Sequence, residues 1–386
     1  MPQVDEARQD RAREYAAIRR RLLLADVAIG MAFAVAALVS GASPSLRVAL
    51  QGLTPSTLVL NGLYLLVFGG AYVALTMPLT VYGGFVLPRR YGLSVQTLPA
   101  WLLDWTKATL LTGALALTLG EALYFLLAAM PDLWWLAMAA IMLAVTVVLT
   151  HLTPVLLVPL FFKLTPLEDG QLVARLRSLA EQASARVRGV YSVNLSSKTT
   201  AANAALVGLG NTRSIVLGDT LLDRYTPDEI ETVFAHELGH HVHRDIPKLV
   251  LVQSALTLVG LYLVGAFLGW GVAAFGLGSV ADIAGLPLLA LGFGAFAVVT
   301  MPLGNGFSRR VEAEADRYAL EATGKPDAFV SAMVKLADQN LAEYAPPRWV
   351  EVLLYDHPAL NRRVAAAKEY KREAVALAPN PDVPES

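Results

Sequence analysis

Long apolar segments alternate with polar ones along the chain. The apolar runs reach or approach the roughly 20 residues that a helix needs to cross a bilayer. Two polar stretches interrupt or follow them, 163–248 and 308–386. The pattern predicts a polytopic helix bundle of about six spans. The predicted spans are 22–40, 58–86, 103–129, 133–162, 248–275 and 283–305.

Basic residues indicate the orientation of these spans. The N-terminal 21 residues are arginine-rich, and Arg89, Arg90, Arg309 and Arg310 follow later spans. The alternate loops, 41–57, about 130–132 and 276–282, contain Arg47 as their one basic residue. Basic loops stay on the cytoplasmic side. We therefore expect both termini and both polar stretches in the cytoplasm, on the inner membrane if the source is bacterial.

The amino-acid composition excludes several classes of fold and function. Hydrophobic residues make up 55% of the chain, charged residues 16%, and the mean hydropathy is +0.50. These values exclude an ordinary soluble domain, and a net charge of −1 gives no basis for nucleic-acid binding. Cysteine is absent, which excludes disulfides, a thiol nucleophile and thiolate metal ligands. A transition-metal site here must use His, Asp or Glu.

The first polar stretch has the pattern of a small α+β unit. Its last part begins with a strong helix-start signal, because Thr226 suits an N-cap, Pro227 the first helical position, and Glu229 completes a capping box. The remaining elements are a helix at 170–186, strands at 187–195, 204–209 and 214–217, and a turn at Gly210-Asn211.

The capped helix runs into His236-Glu237-Leu238-Gly239-His240, an HExxH motif. Residues four apart share a helix face, so both imidazoles can bind one zinc ion. Glu237 lies beside them, where it can act as general base toward a metal-activated water.

A catalytic zinc site needs a third protein ligand. His243 lies two turns from His236, about 10 Å along the axis, too far for one ion. Glu312 and Asp316 share a face of a helix that follows the sixth span. A solvated acidic face is the alternative, but the missing ligand favours Glu312 on the metal and Asp316 orienting an imidazole.

Further motifs resemble one known family, the type I CAAX prenyl endopeptidases, which are membrane zinc proteases related to the yeast a-factor converting enzyme. The resemblance covers nearly the whole chain after the N-terminus, and the short form with one early span fewer is similar to prokaryotic members. The motifs are Arg90-Tyr91-Gly92-Leu93, Pro159-Leu160-Phe161, Thr165-Pro166-Leu167, Asp219-Thr220-Leu221-Leu222, His-Glu-Leu-Gly-His, Ser308-Arg309-Arg310 and His357-Pro358.

The resemblance implies further site residues. His357 and Arg363 match a pair that stabilises the oxyanion, and Asn203 with Ala204 matches the start of a strand that pairs with the peptide substrate. The implied substrate is a peptide or protein, with prenylated CAAX peptides and misfolded membrane proteins as the two candidates. We also expect one zinc ion per chain, a monomeric protein, contact with the lipid bilayer and no binding of nucleic acid.

The predicted organisation is mainly α: a membrane bundle with a small cytoplasmic α+β zinc-metallopeptidase domain. Two other functions compete with this hypothesis, a silent scaffold or chaperone that retains the site, and a protease with HExxH inside a span. The predicted regions are 1–21 (cytoplasmic), 22–162 (four spans), 163–247 (catalytic, with HExxH), 248–305 (two spans), 306–374 (helical, with the third ligand) and 375–386 (disordered tail).

Overall fold

The computed structural model describes residues 4–168, 170–208 and 213–377. Six of its helical segments are long and apolar enough to cross a membrane, as the sequence predicts. The helices before the sheet are α1 Glu6–Val39, α2 Ala42–Gln51, α3 Thr57–Val81, α4 Leu87–Arg90, α5 Leu98–Ala129, α6 Trp134–Leu152 and α7 Val158–Phe161.

The remaining helices include the last two membrane spans and the helices of the polar stretches. Helix α12 continues without interruption from the sixth span into the polar region. They are α8 Gly170–Gln182, α9 Asp219–Leu222, α10 Pro227–Val242, α11 Asp245–Ala274, α12 Leu286–Thr323, α13 Pro326–Gln339, α14 Arg348–Leu354 and α15 Leu360–Leu377.

Two spans contain a short π-helical segment, Tyr82–Val86 after α3 and Thr153–Leu157 after α6. The first follows Pro78 of α3 by four residues, the second includes Pro154, and each joins its span to a further short helix, α4 or α7. The helix of the second predicted span therefore extends to Arg90, beyond its predicted end at residue 86.

A four-stranded sheet lies in the first polar stretch. Its strands are β1 Leu164–Pro166, β2 Gly189–Val193, β3 Ala204–Val207 and β4 Ser214–Gly218, in the order β1-β2-β4-β3. Strand β4 pairs in parallel with β2 and antiparallel with β3, which forms an edge. Strand β1 was not predicted, and the predicted turn at Gly210-Asn211 lies outside the described residues.

The two polar stretches share one hydrophobic core. It joins Leu176, Ile215 and Phe234 of the first stretch to Leu320 and Phe329 of the second. A separate core of leucines and aromatic residues holds the membrane helices together. The two segments expected to carry metal ligands are therefore packed against each other.

Helix α1 begins well before the first predicted span, because the N-terminal polar segment is itself helical from Glu6. Ala12 and Tyr15 pack against Leu87, Tyr91 and Leu341 in a third small core. The N-terminal segment is thereby fixed beside the polar domain. The predicted disordered tail begins too early, since α15 reaches Leu377; residues 378–386 lie outside the described part.

Candidate metal centre and active site

Helices α10 and α12 meet at the motif. A capping box starts α10: Thr226 accepts from the Glu229 backbone N–H, and the Glu229 carboxylate accepts from the Thr226 N–H. Gly239 then permits close packing, because a Cβ there would lie 2.9 Å from the Ala315 Cα. The glycine in the motif thus brings the two helices close enough for their side chains to share an ion.

His236, His240 and Glu312 form a group whose candidate ligand atoms all lie within 4.8 Å of one another. The Nε2 of His236 is 3.2 Å from Glu312 Oε2, and the Nε2 of His240 is 3.5 Å from Glu312 Oε1. Tetrahedral zinc with bonds of about 2 Å separates its ligands by roughly 3.3 Å. The spacing fits a single ion.

Carboxylates lie behind both imidazoles. His236 Nδ1 is 2.9 Å from Asp316 Oδ1, and His240 Nδ1 is 3.0 Å from Asp245 Oδ2. Each ring can donate its Nδ1–H to a carboxylate and present Nε2 to a metal, the usual arrangement of histidine ligands. The two rings are nearly perpendicular, at 83°.

Glu312 Oε2 gives a direct test of whether a cation fits. This oxygen is buried and accepts no hydrogen bond from the described residues. A buried carboxylate oxygen without a donor is costly unless a cation binds it. The two imidazole nitrogens and this oxygen provide the mixed nitrogen and oxygen ligands typical of catalytic zinc.

The close packing of these charged groups shifts the pKa values of His236 and Asp316. Burial opposes a charge on His236, but the carboxylates of Asp316 and Glu312 outweigh it and raise the pKa of His236 to about 9. Burial also acts against ionised Asp316, yet Arg363 and His236 hold the pKa of that carboxyl well below its usual range. The site is arranged to hold positive charge.

Glu237 is half-buried and lies beside the ligand group. Burial raises the pKa of its carboxyl above the usual value, with a further small contribution from Glu312, while the two histidines and Arg363 act in the opposite direction. A raised pKa makes a carboxylate a stronger base, which suits proton transfer near neutral pH.

His357 and Arg363 come from the chain around the start of α15. His357 Nε2 lies 3.3 Å from Glu312 Oε2, and its Nδ1 lies 2.8 Å from Asp356, whose hydrogen bond raises the pKa of His357. Arg363 donates two hydrogen bonds to Asp316, and its Nη2 is 3.5 Å from His236 Nδ1. Both predicted residues therefore border the ligand group.

Two cavities flank Glu237, which lines both. Cavity A has a volume of about 730 Å³ and is lined by Arg19, Asn203, Ala204, His357 and Arg363 among others. Cavity B has about 750 Å³ and includes His240 and Leu206. The predicted substrate-pairing residues, Asn203 and Ala204, thus lie on the wall of cavity A at the start of edge strand β3, outside the ligand group.

Asp245 was missed by the sequence analysis. It is 1% exposed, and Lys248 donates to its second oxygen at 3.0 Å. Arg244 takes a left-handed conformation (φ 55°), which ends α10 and turns Asp245 back toward His240. The acidic residue five positions after the motif was a weak signal, because periodicity alone does not predict that reversal.

Comparison with known proteins agrees with this geometry. Residues 166–371 match the model of peptidase family M48, and residues 1–163 match a CAAX prenyl protease N-terminal region described as five membrane helices. The described part of residues 1–163 contains four helices of membrane-spanning length.

Two curated relatives and one solved structure extend the comparison. The uncharacterized metalloprotease YhfN of Bacillus subtilis is 27% identical over 93% of this chain and 85% of its own length. The probable CAAX prenyl protease 1 of Schizosaccharomyces pombe is 26% identical over 75% of this chain, and the match spans 62% of that protein.

The crystal structure of S. mikatae Ste24p superposes with a TM-score of 0.84 at 22% identity, over 94% of this chain and 90% of that one. This similarity confirms the predicted fold, a polytopic helix bundle with a small sheet. The family model matches more than half of the residues, and three side chains form a group suited to one metal ion. The chain therefore belongs to peptidase family M48 and is an integral, multi-pass membrane metalloendopeptidase.

Proposed function

We propose that the enzyme is a zinc-dependent endopeptidase in which His236, His240 and Glu312 hold the ion. The observation that carries this proposal is the spacing of the three side chains, whose candidate ligand atoms all lie within 4.8 Å of one another at the buried Glu312 carboxylate. Zinc bound there supplies Lewis-acid chemistry, polarising the scissile carbonyl and lowering the pKa of a water to about 7.

The chain's own residues supply the remaining steps. Glu237 accepts the proton of the attacking water and passes it to the leaving amine, which its raised pKa favours. His357, whose pKa is raised by its hydrogen bond to Asp356, and the fixed guanidinium of Arg363 stabilise the negative charge that develops on the carbonyl oxygen. Asp316 and Asp245 hold the two imidazoles in position.

The substrate is a peptide aligned along the open edge of β3, beginning at Asn203 and Ala204. The relatives include proteins named as CAAX prenyl proteases, which supports a prenylated carboxy-terminal peptide. Membrane proteins that need removal are the second candidate substrate, because the catalytic unit is joined to a bundle of six apolar helices.

We further propose that residues 163–247 and 306–374 form one cytoplasmic catalytic unit. Their common core supports this division, and the arginine-rich N-terminus supports the orientation. All ligands and acid–base groups come from one chain, so a monomer is sufficient.

Purified protein in detergent tests the function. We expect bound zinc, cleavage of a prenylated CAAX peptide or its unmodified analogue, and loss of cleavage with a chelator, restored by zinc. The ratio of the two peptide rates identifies the substrate class. Zinc-free protein whose cleavage ignores chelation would contradict the zinc mechanism, and bound zinc without any cleavage would favour the scaffold.

A further inference from the structure

Arg19 is a cation in cavity A without a carboxylate partner. It lies on α1, less than one turn before the first predicted span, which begins at residue 22, and lines the same cavity as Glu237 and His357. Its guanidinium is exposed and packs on the Tyr15 ring at 5.8 Å. Across the described residues it makes no salt bridge.

The other strong cations of the cavity are already paired. Arg20 donates to Glu343 at 2.6 Å, and Glu343 also accepts from the Tyr355 hydroxyl. Arg363 is paired with Asp316. Arg19 is therefore the cation that remains available to a negative group entering this cavity.

The position of strand β3 predicts the direction in which a bound peptide runs between the two cavities. Asn203 and Ala204, at its start, line cavity A, whereas Leu206 and Gly208, at its end, line cavity B. A peptide that adds antiparallel to β3, as β4 does on the other side, runs from cavity B to cavity A. Its carboxy-terminal part, the leaving segment, then lies in cavity A with Arg19.

Cavity B leads toward the membrane. Leu249 lines both cavity B and a third cavity of about 730 Å³ between the membrane helices, which is lined by apolar residues such as Phe293 and Phe296. The anchor of a membrane-bound substrate precedes its carboxy-terminal tail in the chain. An anchor on the cavity B side leaves the free carboxy terminus in cavity A, the direction that antiparallel pairing gives.

We infer that Arg19 binds the free α-carboxylate of the substrate and restricts cleavage to sites near the carboxy terminus of a membrane-anchored protein. The inference rests on the proposed peptidase function. A guanidinium pairs with a carboxylate through two parallel hydrogen bonds. Because Arg19 and Glu237 line the same cavity, the α-carboxylate and the scissile bond are separated by the few residues that this cavity holds, at about 3.5 Å per extended residue.

The test compares one peptide in two forms, with a free carboxy terminus and with a carboxy-terminal amide. The peptide is the form cleaved faster in the assay above, and the enzyme is the full chain in detergent. We expect the wild type to cleave the carboxylate form with a kcat/KM at least tenfold higher, mainly through KM. Arg19→Gln is expected to cleave both forms at the rate of the wild type with the amide, and Arg19→Lys to recover part of the preference.

Two variants serve as controls. Arg21→Gln removes an exposed arginine of the same helix that is not among the cavity residues, so the preference is expected to remain. Arg213→Gln tests the opposite peptide direction, since Arg213 lines cavity B. Loss of the preference in Arg213→Gln but not in Arg19→Gln would overturn the inference.

The wild-type enzyme alone distinguishes failure of the carboxylate site from failure of the peptidase function. Equal cleavage of both peptide forms would refute the carboxylate site and leave the peptidase function standing. Cleavage of neither peptide in the earlier assay would refute the proposed function and this inference with it.

Discussion

Arg363 donates two hydrogen bonds to the carboxylate of Asp316, from Nε to Oδ2 at 2.7 Å and from Nη2 to Oδ1 at 2.5 Å. The same carboxylate lies 2.9 Å from His236 Nδ1. One buried side chain thereby connects α12, α15 and helix α10, which carries His236. Arg363 supports the position of this imidazole, a proposed metal ligand, in addition to its proposed place at the oxyanion.

Arg363→Gln leaves Asp316 buried without its cation. We expect this to lower the free energy of unfolding by about 3 kcal/mol, because an uncompensated buried charge is costly. Thermal unfolding in detergent measures the change. Arg372→Gln, an exposed arginine on the same helix, is the control and should leave the midpoint nearly unchanged. Equal midpoints for both variants would contradict the role of the pair.

Asp245→Asn is expected to weaken zinc binding about tenfold by removing the charge behind His240. Competition with a chelating dye measures the affinity. Asp223→Asn, an exposed aspartate of the same domain, provides the matched control. Unchanged affinity in Asp245→Asn would show that the carboxylate charge behind His240 has no part in holding the metal.

Glu237→Gln should retain zinc and lose at least about 100-fold in kcat, because the amide cannot accept the proton of the attacking water. Metal content and rates together test this. A variant that keeps full activity would end the general-base assignment.

Zinc binding should release protons at neutral pH. The pKa of His236 in the metal-free protein is raised to about 9 from 6.5, so at pH 7.5 its imidazole carries a proton that the metal must displace. Release decreases as pH rises through about 9, and the apparent affinity increases over the same range. Calorimetry in two buffers of different ionisation enthalpy counts the protons.

Asp316→Asn provides the control for this titration. Without the carboxylate charge the pKa of His236 falls toward its ordinary value, and fewer protons are released at pH 7.5. Equal release from both proteins would mean that another group supplies the protons.

The proposed orientation is open to a labelling test, because the chain has no cysteine. Ser279→Cys lies in the loop before the sixth span, and Glu369→Cys lies on α15; both positions are exposed. In intact cells an impermeant thiol reagent should label the first and not the second. The reverse pattern would invert the proposed topology.

The sequence predicted the features that depend on local chemistry. Residues close together in the sequence determine the six apolar runs, the capped start of α10 and the spacing of His236 and His240. The structure has all three features. The pairing of Glu312 with these histidines was predicted from the chemistry of the site, since zinc needs a third ligand.

Other features depend on contacts between distant segments. Helix α1 docks because Gln9 accepts from the Tyr344 N–H and Arg20 pairs with Glu343, and no periodicity connects residues more than 300 positions apart. Strand β1 is three residues long, too short for a pattern, and forms only because β2 is beside it. The approach of Asp245 to His240 depends on one left-handed residue.

Helix α12 carries a membrane crossing and the residues Glu312 and Asp316 on one rigid rod. During synthesis, the two histidines emerge well before this last crossing is inserted. Glu312, the proposed third ligand, follows that crossing on the same helix. We therefore expect a chain still being inserted into the bilayer to have an incomplete centre, and proteolytic activity to begin only after the sixth span is in place.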